Sequence, residues 1–585
     1  MNRYKIILLL AILGVTASCD DYLDRSPLNV VSDNDVWEDP NAIDAYMVNL
    51  YENMEVEDFN YQVIAQAGFL STVTDIAVRS YGWGAQNDPI VPSNSYGWWG
   101  YGSVRKINVF LEQIQTANVD ENLKDRYLAE GHFIRAFYYF SMVKRYGGVP
   151  IITQPQVFTG DNISELQVPR ATEKEVFDFI REELNLAINN LPESYGATEK
   201  YRANKYTALA LMSRAMLYAG SIAKYSNVQL NGLVGIPQQD ASTFFQYSLE
   251  ASEELMNAGY ALYNQSDNKI ENFQNLFLNA DNNSEIIFAK IFSSPDKTHS
   301  YDFFNAPQSF RVDYGNATNP TLSLVEDYEY IDGSSGELKI TDNSGNPIHF
   351  ENPYDLFEGK DPRFFATILA PFSPWQGGIL EIRAGIFDNG KYITSSNLTD
   401  TYGSGAEAVT IVGKDGPLTT WDPTKTGFYV KKSMNPTERV NYGRSDQPWI
   451  VFRLGEILLN HAEAALELGQ SDKALSSVNQ IRERAGIMEL NSIDMEKVRH
   501  ERKVELAFEN HRFWDIRRWR TATTLLNNTQ FKALYPWLNW GSKDYTFTIV
   551  DAPKNTRTFL EKTYYEPIPY GEVEKNPNLI QNPGY

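Results

Sequence analysis

The feature that most constrains this chain is a long run of helical periodicity over 123–146. Phe133, Ala136, Phe137, Phe140 and Val143 fall there at i, i+3, i+4, i+7 and i+10. That spacing gathers five apolar side chains on one face of an α-helix and would scatter them over both faces of a strand. Gly147-Gly148 with Pro150 beyond ends the run. An apolar face of that length has to be covered by other elements, and similar periods mark them. Helices are expected at 41–52, 104–114, 173–190, 204–219, 243–257, 454–468, 471–484 and 495–518. Thr172 caps the 173–190 helix and Pro192 closes it.

These helices come in pairs. Such pairs resemble tetratricopeptide units, whose repeat is about 34 residues, interrupted here by insertions at 151–170 and 226–240. The stretch 292–448 differs: it is rich in Gly, Pro, Asn and Ser and keeps no helical period. So long an aperiodic stretch in a compact protein usually carries functional loops. The expected fold is mainly α, a tetratricopeptide-like helical-pair scaffold with a large irregular, loop-rich ligand-binding insertion. The expected divisions are a signal segment 1–18, an N-terminal helical region 19–290 with binding loops at 74–102, the insertion 291–448, and a C-terminal helical region 449–585.

Composition removes several function classes. The 585 residues hold 52 Lys plus Arg against 75 Asp plus Glu, a net charge of −23. Such a surface repels phosphate backbones, so no nucleic-acid partner is expected. A single cysteine makes no internal disulfide and no cysteine-only zinc site. The six histidines form no HExxH or HxH pattern. No Walker loop, nucleophile elbow or dinucleotide fingerprint occurs. Asp281, Asn283 and Glu285 echo a calcium loop without its glycine at the sixth position. No metal, cofactor or catalytic residue is therefore expected. Glu501, Glu505 and Glu509 lie at i, i+4 and i+8, close enough to resemble a glycosidase pair. The arginines around them, at 482, 484, 499, 502 and 512, point instead to buried Glu–Arg pairing between helices.

The N-terminus reads as an export signal. Arg3 and Lys5 precede a ten-residue apolar run over 6–15, too short to span a bilayer, and Thr16-Ala17-Ser18-Cys19 follows. This resembles a bacterial lipobox and predicts acylation of Cys19.

Several blocks then carry a family resemblance. They are EGHFIRAFYYFSMVKRYGGVPI (130–151), VPRATEKEVFDFI (168–180), NSEIIFA (283–289), GKDPRFFATIL (359–369), WIVFRLGEILLNHAEAALELG (449–469), VNQIRERAG (478–486), HERKVELAFENHRFWDIRRW (500–519) and PIPYGEVEKNPNLIQNPGY (567–585). Together they resemble the SusD/RagB family of outer-membrane lipoproteins. The resemblance implies a non-enzymatic surface protein, lipid-anchored in the outer membrane. It would capture oligosaccharide for a TonB-dependent, SusC-like transporter. Peptide capture within the same family is the alternative, and glycoside hydrolysis a lesser one.

A sugar ring offers an apolar CH face and polar edges, which suits exposed aromatics beside hydrogen-bonding groups. TDIAVRSYGWGAQNDP (74–89) and SNSYGWWGYG (93–102) have that composition. They contribute Arg79, Trp83, Trp98, Trp99 and Tyr101 as candidate contacts. The resemblance adds Asp75, and Trp98 or Trp99, by position ahead of the next helix. Tyr301, Phe310 and Tyr314 are candidates for a second wall. Trp375 and Trp421 sit on loops with no assigned role, and Trp514 and Trp519 read as structural.

Overall fold

The computed structural model describes residues 33–54, 69–80, 96–196, 199–418, 423–553 and 556–585. Cys19, Trp83 and Trp421 lie outside the described residues.

Helix Glu121–Tyr146 is the central post. Asp120 caps its start by accepting from the Asn122 amide, and Gly147 ends it at φ 73°, a left-handed angle that glycine adopts readily. From Tyr127 onward it is buried almost all round, so other helices enclose it. Tyr101–Gln113 and Glu173–Asn190 pack against it. Lys205–Tyr225, Ala241–Met256, Leu454–Glu467 and Ser471–Ala485 then continue the stack, each against the one before. Reciprocal capping boxes start two of them, Thr172 with Glu175 and Asn204 with Thr207. The scaffold is mainly α and tetratricopeptide-like.

The aperiodic stretch leaves and re-enters this scaffold through one neck. Strand Ile286–Lys290 pairs antiparallel with Trp449–Arg453, with Trp449 opposite Lys290. Among the described residues of 292–448, no helix exceeds six residues. The C-terminal region is not purely helical. Strands Lys532–Asn539 and Tyr545–Asp551 form a hairpin, and the first of them also pairs in parallel with Gly385–Asp388. Pro536 concealed this strand in the sequence, because a proline inside a ladder removes a donor and argues against a central strand. Here its carbonyl still accepts from the Ala384 amide at 2.8 Å.

The expected single helix over 495–518 is broken. Met495–Glu505 and His511–Arg518 are separate, and Phe508 and Asn510 take left-handed φ of 64° and 68° between them. Asparagine tolerates that region; phenylalanine does not, so the surrounding contacts must hold it there.

Glu501, Glu505 and Glu509 are buried in ion pairs, as expected, with Arg482 and Arg484 among the partners, whereas Arg502 turns to Asp515 and Arg512 to Asp75. Glu505 meets Arg363 at 2.9 Å and Arg453 at 2.8 Å, and also meets Arg484. Glu501 meets Arg363 at 2.6 Å and Arg482 at 3.0 Å. Glu509 meets Arg453 at 2.7 Å and Lys432 at 2.6 Å. Glu285 joins through Arg453 and Arg484, so the last residue of the apparent calcium loop is an ion-pair partner. Arg453 needs the space above Gly455, where a Cβ would lie 2.2 Å from its guanidinium. The network thus joins the neck, the aperiodic stretch and the C-terminal helices.

Burial alone would raise the Glu505 carboxyl, but Arg484, Arg453 and Arg363 hold it well below the ordinary 4.5. A depressed folded value contributes stability above about pH 4.5 that is lost as pH falls through the folded value. Glu505→Gln strips the charge facing three guanidinium groups and is expected to cost about 3–5 kcal/mol. Chemical denaturation at pH 7 checks this, and the gap between variant and wild type should narrow as the pH drops below 4.5.

Candidate ligand-binding site

The segment 69–80 is buried throughout and tied to the aperiodic stretch. Ala77–Val78 pairs antiparallel with Asn319–Pro320, and the Thr321 hydroxyl donates to the Asp75 carbonyl at 2.8 Å. Arg557 donates to the carbonyls of Thr72, Thr74 and Ala77 and pins the turn from the C-terminal side.

Asp75 faces inward. Its carboxylate takes two bonds of 2.8 Å from Arg512 and an ion pair of 3.0 Å from Lys503, and the residue is only 6% exposed. Burial opposes its charge, yet the two cations hold it far below the usual carboxylate range. Arg79, a candidate contact in the sequence, is buried as well. Asp75 therefore anchors the segment under the surface.

The two adjacent tryptophans diverge. Trp98 lies against Tyr138 at 5.7 Å between ring centres and over Gly100, where a Cβ would come within 2.2 Å of the indole. Trp99 turns to Tyr101 at 4.9 Å and Tyr146 at 5.2 Å. Both are half-buried. Tyr101 opens helix Tyr101–Gln113, and its hydroxyl donates to the Pro150 carbonyl at 2.5 Å. Trp99 and Tyr101 together wall a cleft of about 430 Å³.

The second-wall residues also separate by depth. Tyr301 is buried edge-on to Phe69 at 5.6 Å, which joins the first loop to the second wall. Phe310 is buried beneath Arg439. Tyr314 is 55% exposed and stands 5.9 Å from Phe303. Phe303 and Phe304 also carry Tyr442, at 5.4 and 6.0 Å, and Tyr442 is 65% exposed. The Tyr442 backbone is held in place. The Thr298 hydroxyl donates to the Gly443 carbonyl, the Gly443 amide donates to Ser300, and His299 bridges Ser445. Two exposed tyrosines on a phenylalanine base thus form an aromatic ledge. Tyr442 was not singled out in the sequence, although its Tyr-Gly pair repeats the pattern of the 93–102 loop.

Trp375, Trp514 and Trp519 are buried, and the Trp519 indole donates to Glu463 at 2.7 Å. Among the described residues no group of three or more His, Cys, Asp or Glu could hold a metal ion, and no helix is long and apolar enough to cross a membrane.

The chain is similar to known proteins over most of its length. The SusD family model matches residues 284–585, and a model described as starch-binding proteins associating with the outer membrane matches 21–217. A SusD-like protein of Formosa agariphila is 22% identical, covering 92% of this chain and 96% of its own. The crystal structure of a SusD-like protein from Bacteroides fragilis is 28% identical with a TM-score of 0.73, covering 96% and 100%. A laminarin-binding SusD-like protein is 21% identical with a TM-score of 0.61, covering 94% and 100%.

Because Asp75 neutralises Arg512 and Lys503 inside the protein, Asp75→Ala is expected to cost about 3–5 kcal/mol. Thermal unfolding checks this; a variant that melts like wild type would mean that the pair is dispensable to the fold.

Proposed function

The chain belongs to the SusD family, and from that premise we propose that it captures oligosaccharide at the cell surface and passes it to a TonB-dependent, SusC-like transporter. The observation that carries this reading is the ledge of Tyr314 and Tyr442. Two planar rings stand exposed on a rigid base, which suits stacking against the CH faces of a glycan. Their exposure needs no role in the core, whereas Asp75, Arg79, Tyr301 and Phe310 are buried. Trp98, half-buried beside Tyr138, remains a further candidate contact. The laminarin-binding neighbour supports the ligand class.

Anchorage follows the lipobox. Residues 1–18 are removed, and Cys19 carries the acyl chains that hold the protein on the outer membrane, facing outward. More than one chain is needed for stable anchorage, since each buried CH₂ contributes about 0.8 kcal/mol. Cys19→Ala should move the protein to the soluble fraction when cells are fractionated. Unchanged membrane association would sink the anchor.

Affinity gels and calorimetry with laminarin, starch and a panel of other soluble polysaccharides test the ledge. Tyr314→Ala and Tyr442→Ala should each melt near the wild-type temperature while weakening the retained glycan about tenfold, or ~1.4 kcal/mol. A neutral glycan should bind almost equally in low and high salt. Wild-type binding by both variants would remove the ledge from the site.

A further inference from the structure

We propose that the cleft walled by Trp99 and Tyr101 is a second saccharide subsite, separate from the ledge; this rests on the glycan-capture reading. The cleft lies between the start of helix Tyr101–Gln113, the strap 150–168 and the C-terminal helix Tyr570–Lys575. At about 430 Å³ it falls within the size range of small-ligand sites. Its aromatic wall is held in place: Trp99 meets Tyr146 edge-on at 81° and Tyr101 at 52°.

Polar groups stand opposite that wall. Gln154 is exposed on the strap. The Gln156 amide nitrogen donates to the Leu166 carbonyl at 3.2 Å, which orients the amide and leaves its oxygen as an acceptor. Arg105 donates to the Gln156 carbonyl and keeps further N–H donors. An acceptor and donors beside a flat ring match a hydroxyl-bearing ligand with an apolar face.

The strap also argues against a peptide strand as the occupant. Several of its carbonyls are already taken by side chains. Pro150 accepts from Tyr101, Ile152 from Asn108 at 2.9 Å and Tyr139 at 3.1 Å, Thr153 from Arg135 at 3.2 Å, and Gln156 from Arg105. The Ile152 amide is spent on the Tyr139 hydroxyl at 2.7 Å. A peptide adding a strand needs a row of open backbone groups, and these bonds interrupt that row over 150–156. The same bonds hold the strap still, so the cleft exists before any ligand arrives. Two subsites on one chain would hold a long glycan by effective concentration more tightly than either alone.

The test uses the full chain purified in detergent and a short oligosaccharide of whichever polysaccharide it retains. Calorimetry of the wild type should resolve two sites. Trp99→Ala and, separately, Gln154→Ala should weaken one of them at least tenfold, and Tyr442→Ala should weaken the other about tenfold. Gln154 is exposed, so its variant decides the matter if Trp99→Ala unfolds. Two intact sites in both cleft variants, with Tyr442→Ala still impaired, would overturn the cleft and leave the ledge standing. Normal glycan binding by the cleft variants with loss of co-purifying transporter would make this surface a protein contact and equally overturn the subsite; Val157 and Phe158, exposed on the strap, give that outcome its physical basis. A wild type that retains no polysaccharide would overturn the glycan reading and the subsite together.

Discussion

The structure depends on a buried lattice of guanidinium and carboxylate groups. Glu285 precedes the first neck strand and Glu501, Glu505 and Glu509 share one C-terminal segment, and Arg363, Arg453, Arg482 and Arg484 interleave them. Isolated buried charges are costly, and only near-complete pairing makes them tolerable. The planar forks of arginine suit that requirement, because each can face two carboxylates at once. The lattice is also directional. A helical pair packed one turn out of register would leave several charges unpaired, so the ion pairs specify the docking of the aperiodic stretch as hydrophobic contact alone would not. The left-handed residues Phe508 and Asn510 fit this view: the backbone breaks where Glu509 reaches Arg453 and Arg512 reaches Asp75.

A rigid frame then allows irregular loops to carry exposed aromatics. The neck strands Ile286–Lys290 and Trp449–Arg453 close the aperiodic stretch, and Arg363 and Lys432 clamp it from inside. The ledge inherits that order, since Tyr442 and Tyr314 rest on phenylalanines of a short helix, Tyr301–Asn305. Buried Asp75, tied to Arg512, holds the neighbouring segment in the same frame. Recognition surfaces of this type need little local stability of their own because the scaffold supplies it.

Much of this was legible in the sequence. The central helix, its caps and the helical pairs follow from periodicity, Thr172 and Gly147. The row of glutamates reads correctly as paired, and Arg482 and Arg484 are among its partners, but Arg502 and Arg512 pair with Asp515 and Asp75, and Arg363 and Arg453 come from distant parts of the chain. The hairpin at 532–551 was hidden by Pro536, whose missing donor is harmless at that place in the ladder. Among the candidate contacts, Tyr314 is exposed while Tyr301 and Phe310 are buried, and nothing in an aperiodic sequence separates these cases. Tyr442 escaped notice because its partners Phe303 and Phe304 lie far from it along the chain.

By itself the sequence determined the helical scaffold, the place of the aperiodic stretch and the charge pairing of the glutamate row, because these rest on local periodicity, local caps and the spacing of charged residues, and its motif blocks carried the family resemblance. Tertiary structure alone decided which aromatics face solvent, that Asp75 serves an internal ion pair, that Trp98 and Trp99 turn to different partners, and that Trp99 walls a cleft with the strap 150–168. Those outcomes depend on contacts between residues distant in sequence, where burial is set by what packs above a side chain and not by its neighbours along the chain.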